Sequence, residues 1–196
     1  MISIIKFGPS KKELLLWFIL LPLMVFLISF AACRKESDDE QESIGFVLSS
    51  PEIGQDSLLP VDYTCDGSSS TLLLVWQGFS EVTQSFALIM HHEASPTDIH
   101  WYWVMYNIPA DVQSLVKNVT GVGTLGINSV NENAEYAGPC SQGPGLKRYT
   151  LTLYALSQQV SLTVPNSEFT RDVLLEAIKD ITLASTTLTV VYSRDI

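Results

Sequence analysis

All three histidines of the chain, His91, His92 and His100, fall within ten residues of one another. Clustered imidazoles can serve as donors to a divalent metal such as zinc, and Glu93 or Asp98 stands near enough in sequence to join them. The spacing argues against that use. His91 and His92 are adjacent, and on an extended chain adjacent side chains leave opposite faces. No metal site is therefore expected, and the histidines are read as polar residues of a surface or pocket rim. A second group, Lys147-Arg148, opens an alternating run in which Tyr149, Leu151, Leu153 and Ala155 share one face. A fixed guanidinium, an ammonium and an imidazole that gains charge in acid are together suited to an anion. Nothing comparable exists for catalysis: there is no Gly-x-Ser-x-Gly elbow, no cysteine–histidine pair, and no carboxylate singled out by an apolar setting. The chain is expected not to be an enzyme and to need no cofactor.

The elements that must position these residues read as short strands broken by Gly, Pro, Asp and Asn. Ser85–Met90 is an almost continuous apolar run, as expected of a strand buried on both faces. Trp101–Tyr106 is aromatic and ends at the turn signal Asn107-Ile108-Pro109. Ala184, Leu188, Val190 and Tyr192 mark another strand near the C-terminus. One helix stands out, capped by Thr170, with Asp172 at its positive end and a stripe of Leu174, Ala177, Ile178 and Ile181. Many strands and one late helix predict a mainly β fold, a two-sheet antiparallel sandwich with a C-terminal helix against it. The loop from about Asn118 to Lys147 holds eight glycines and prolines, a composition and length often found in functional loops.

The first 32 residues read differently. Lys6, Lys11 and Lys12 precede the apolar stretch Leu14–Phe30, and the small residues Ala31 and Ala32 then precede Cys33. That order predicts a lipoprotein signal peptide over 1–32, with Cys33 as the lipidated residue, although Phe30 stands where such motifs usually carry Leu. Residues 33–45 are an acidic tether with too little apolar surface to fold, and 46–196 form the domain. The expected location is the bacterial cell envelope, lipid-anchored at the outer membrane. The acidic run after Cys33 also resembles the surface-export signal of some Bacteroidetes lipoproteins.

Residues 33–196 hold 8 Lys/Arg against 20 Asp/Glu, a net charge of −12. So acidic a body has no basic stripe to displace counterions from phosphates, and nucleic acid is not an expected partner.

Several segments, taken in order, resemble the bacterial branch of the phosphatidylethanolamine-binding (Raf kinase inhibitor-like) protein family. They are Tyr63-Thr64-Cys65-Asp66-Gly67, Trp76-Gln77-Gly78, Ser85–Ile89, Trp103–Pro109, Tyr136-Ala137-Gly138-Pro139-Cys140, Lys147-Arg148-Tyr149 and Tyr192-Ser193-Arg194. The resemblance implies a β-sandwich with a small anion pocket at one end, accepting phosphate-like head groups. It also implies that Cys65 and Cys140, the two cysteines left once Cys33 is set aside, meet near that pocket and form a disulfide.

The pocket motifs depart from the family pattern. Where the family has Asp-Pro-Asp-x-Pro, this chain has His92-Glu93-Ala94-Ser95-Pro96. Tyr102 replaces a His before the Trp-Val pair, Lys147 replaces the His of Gly-x-His-Arg-Tyr, and Leu72-Leu73 replaces Pro-Pro. Losing an acid and fixing a cation both favour an anion. The ligand-binding set is accordingly His92, Pro96, Tyr102, Gly138, Pro139, Lys147 and Arg148. The expected function is non-catalytic binding of a small anion, a phosphate or carboxylate head group. The alternative is a protein-interaction or inhibitor module, like family members that act on kinases and proteases, with a vestigial pocket.

Overall fold

The computed structural model describes residues 45–142, 144–161, 164–165 and 168–194. The expected signal peptide, Cys33 and nearly all of the expected acidic tether lie outside the described residues. Among these residues nine strands form two sheets. β1 (Val47–Ser49), β3 (Leu74–Gln77) and β6 (Ser114–Leu115) make a three-stranded sheet in the order β1-β3-β6. β2 (Ser57–Leu58), β4 (Ser85–Ser95), β5 (Asp98–Pro109), β7 (Thr124–Leu125), β8 (Lys147–Leu156) and β9 (Thr182–Tyr192) make a six-stranded sheet in the order β2-β9-β8-β4-β5-β7. Pairing is antiparallel except at β2, which runs parallel to β9. The two-sheet sandwich read from the sequence is therefore the observed fold, with that one parallel edge.

Both faces of the larger sheet are covered, which explains the unbroken apolar run in β4. Phe86, Leu88 and Met90 enter the core between the sheets, while Ala87 and Ile89 enter a second core on the opposite face. That second core is closed by helix α1 (Arg171–Ile178). The Thr170 side chain accepts from the Val173 amide at 3.4 Å, satisfying one of the free N–H groups at the helix start. Leu174 and Ile178 are buried as the stripe required, but Ala177 is exposed and Val173 and Leu175 flank the contact in its place. A small residue adds little to the buried area, so helix rotation follows the larger side chains on either side.

Cys65 and Cys140 are bonded, with their Cα atoms 5.2 Å apart. The bond spans a separation of 75 residues, and restricting so long a loop in the unfolded chain contributes at most about 4 kcal/mol.

Candidate functional site

The His92-to-Pro96 segment does not form a loop. β4 and β5 continue outward as a hairpin, pairing His91 with Trp101, His92 with His100 and Ser95 with Asp98. All three histidines thus sit on paired strands. Pro96 is at the exposed hairpin tip, four residues beyond His92, and does not line the recess formed below. The period-2 pleat sends His91 to the helix face and His92 to the sandwich end. There the His92 ring lies 5.4 Å from Tyr149, and its Nδ1 is 2.8 Å from the Arg148 carbonyl oxygen.

Tyr102 reaches the same place by a break in the pattern. Met90 pairs with Trp103 and His91 with Trp101, so Tyr102 is an extra residue in β5. Such a bulge re-aims a side chain. Strict alternation would send Tyr102 away from Trp103; instead both join the core between the sheets. Its ring meets Tyr149 edge-on at 5.2 Å.

The loop before β8 closes the site. The Ala137 amide donates to the Tyr102 carbonyl at 2.8 Å, and the Tyr136 hydroxyl donates to the Tyr63 carbonyl at 2.6 Å. Gly138 is required at its position: a Cβ there would lie 2.6 Å from Ser69 Oγ and 2.8 Å from the Thr64 carbonyl carbon. The Pro139 carbonyl accepts from the Cys65 amide at 3.2 Å. Gly138 and Pro139 are therefore buried supports of the wall. Ser141 follows the bonded Cys140 and is also buried.

Among the described residues, two hydroxyls at this end, Tyr149 Oη and Ser141 Oγ, make no hydrogen bond of normal geometry, although Ser141 and Tyr102 both stand close enough to Tyr149 to act on it electrostatically. Ser141 and Tyr149 are 2% and 0% exposed. Burial, reinforced by the neighbouring Tyr102, raises the Tyr149 pKa far above the ordinary phenol value, and burial raises that of Tyr102. Both remain neutral hydrogen-bond donors at physiological pH. An unpaired buried donor is costly, and its natural remedy is an acceptor oxygen.

A recess of about 440 Å³ is lined by His91, His92, Glu93, Leu146, Lys147, Arg148 and Thr150. Tyr102, Ser141 and Tyr149 do not line it, and His92, packed on Tyr149, is the residue common to the recess and the cluster. The recess gathers His92, Lys147 and Arg148 from the residues read as ligand-binding. Their charges are not equally available. The Lys147 ammonium donates to the Gln142 carbonyl at 2.7 Å and has no carboxylate partner among the described residues, whereas Arg148 forms an ion pair with Asp56 beside β2. Glu93 adds a negative charge at 3.5 Å from His91. Burial, helped by Arg171, holds His91 below the ordinary imidazole pKa. His100 pairs with Asp98 at 3.1 Å on the exposed hairpin.

The profile of the phosphatidylethanolamine-binding protein family matches residues 49–193. The chain belongs to the phosphatidylethanolamine-binding protein family. It is 34% identical over 141 residues to a UPF0098 protein of Methanothermobacter thermautotrophicus, covering 69% of this chain and 91% of that one. A UPF0098 protein of Aquifex aeolicus is 34% identical over 143 residues, covering 70% and 82% of the two chains. Among solved structures, a phosphatidylethanolamine-binding protein homologue of Chlamydia trachomatis superposes with a TM-score of 0.70 at 23% identity, over 77% of this chain and 99% of that one. Escherichia coli YbcL superposes with a TM-score of 0.69 at 24% identity, over 76% and 99%. Both structural matches bear on the fold alone.

This member of the family has residues at the candidate site that its sequence did not single out. Tyr149 read as a core position because it shares a face with Leu151 and Leu153; its hydroxyl gave no sign in the pattern. Ser141 was visible only as the neighbour of Cys140. Asp66, which accepts from Tyr192 Oη and pairs with Arg194 at 2.6 Å, lies in motifs quoted for the resemblance without a role of its own.

Proposed function

We propose that the protein is a non-catalytic binding protein of the cell envelope that holds a small anionic group, phosphate- or carboxylate-like, at this end of the sandwich. The observation that carries the reading is a recess lined by His92, Lys147 and Arg148, with His92 packed on Tyr149, whose buried hydroxyl and that of Ser141 make no hydrogen bond of normal geometry among the described residues. An anionic oxygen would give both hydroxyls an acceptor, and the ammonium would supply the charge at the mouth. Tyr102 packs on Tyr149 behind it. Arg148 acts at the rim, its charge already shared with Asp56. Envelope location is inferred from the signal sequence and Cys33.

The test is calorimetric titration of the residue 46–196 domain with an alkyl sulfate ester, whose charge is constant across the working pH range. Saturable binding that weakens on Lys147→Ala and on Tyr149→Phe is expected. No binding, or binding indifferent to both changes, would remove the anion reading. It would favour the protein-interaction alternative, for which exposed Leu146 at the recess lip is the available anchor.

A further inference from the structure

The disulfide touches three segments that meet at the site. Cys65 is exposed and follows the buried Thr64; Cys140 is half-buried and precedes Ser141. The C-terminal segment crosses both. The Arg194 guanidinium donates to Cys140 Sγ at 3.5 Å and pairs with Asp66, next to Cys65, at 2.6 Å. The two sulfurs are therefore unlike. One lies on an exposed residue beside a carboxylate already neutralised by Arg194. The other has a guanidinium N–H directed at it.

We propose that the Cys65–Cys140 bond is a thiol-exchange site, opened by a dithiol reductant that attacks Cys65 Sγ, and that its opening loosens the buried segment that carries Ser141. Exchange is fastest where the attacked sulfur is accessible and the departing sulfur is stabilised as thiolate. The reductant's thiolate bonds to Cys65 Sγ, the Sγ–Sγ bond breaks, and its electron pair passes to Cys140 Sγ beside Arg194. The reductant's second thiolate then attacks its own sulfur in the mixed disulfide. That step releases the Cys65 thiolate and leaves the reductant as a cyclic disulfide. Two electrons and, after uptake by the two thiolates, two protons pass to the protein.

Reduction leaves the Cys65 amide bonded to the Pro139 carbonyl and Gly138 packed on Thr64, so the segment should loosen without the domain unfolding. The effect on ligand affinity rests on the anion reading above. The exchange chemistry does not.

The experiment treats the native oxidised protein with glutathione, traps the products with an alkylating agent and maps the peptides. Glutathione is expected on Cys65, with the alkylating agent on Cys140. Arg194→Gln should slow opening by about tenfold, and Arg194→Lys should restore part of the rate. Amide exchange across residues 136–142 should rise by about tenfold on reduction while the β4 and β8 cores stay protected. Glutathione on Cys140, reduction no faster than global unfolding, or equal rates in wild type and Arg194→Gln would each overturn the proposal. None of these readouts requires a ligand. Loss of sulfate-ester affinity in the reduced protein and in Cys65→Ser/Cys140→Ser would extend the result to the site. Equal affinity in both redox states would reject the coupling while leaving the anion reading intact.

Discussion

His92 Nδ1 donates to the backbone carbonyl of Arg148 at 2.8 Å. A carbonyl oxygen can only accept, so Nδ1 carries the hydrogen and the bond fixes the orientation of the ring. The ring is held against Tyr149 and lines the recess. His92→Ala should weaken sulfate-ester binding in calorimetric titrations, and an unchanged affinity in the variant would remove His92 from the site.

Tyr149→Phe separates binding from stability. The substitution removes a buried hydroxyl that makes no hydrogen bond of normal geometry and keeps the ring packed against Tyr102 and His92. The unliganded domain should be equally stable or more stable, by about 1 kcal/mol, in urea titrations. Sulfate-ester affinity should fall by about tenfold with loss of one charge-assisted hydrogen bond. A destabilised variant with normal affinity would mean that the hydroxyl has a partner and no ligand role.

Asp66 ties the C-terminal strand to the disulfide turn. Its hydrogen bond from Tyr192, and then its contact with Arg194, lower its pKa from the ordinary 3.8. A carboxyl whose native pKa is depressed adds stability above its unfolded value and loses it as pH falls through the native one. Wild-type stability should thus decline below about pH 4 with a contribution from Asp66 that Asp66→Asn lacks. Parallel melts of the two proteins from pH 7 to pH 3 measure it. Converging stabilities toward low pH are the expected result.

Much of the fold was legible because strong patterns agreed with one another. The apolar run at Ser85–Met90 required a strand covered on both faces, and α1 supplies the second cover. The site was legible only in part. His92, Lys147 and Arg148 do line one recess, but the pairing of Arg148 with Asp56 joins residues 92 positions apart that no local pattern connects. Pro96 stands apart from His92, Lys147 and Arg148 because β-hairpin pairing, which the motif does not reveal, carries it to an exposed tip. The Tyr102 bulge was hidden for another reason: one extra residue in a strand leaves no trace in composition. Its only sequence cue is Trp101-Tyr102-Trp103, three aromatics in succession where alternation would be expected.

A membrane anchor is proposed from the sequence around Cys33. Cells given a palmitate analogue should label the wild-type protein, and Cys33→Ala should abolish the label and release the domain from membranes. Unlabelled wild type would argue for an uncleaved N-terminal anchor instead.

The most direct measurement is a high-resolution crystal structure of the domain with an alkyl sulfate ester bound. The sulfate oxygens are expected within hydrogen-bond distance of Tyr149 Oη and Ser141 Oγ, with the Lys147 ammonium turned from the Gln142 carbonyl toward the ester. Ordered water on both hydroxyls, with the ester absent or bound outside the recess, would contradict the account.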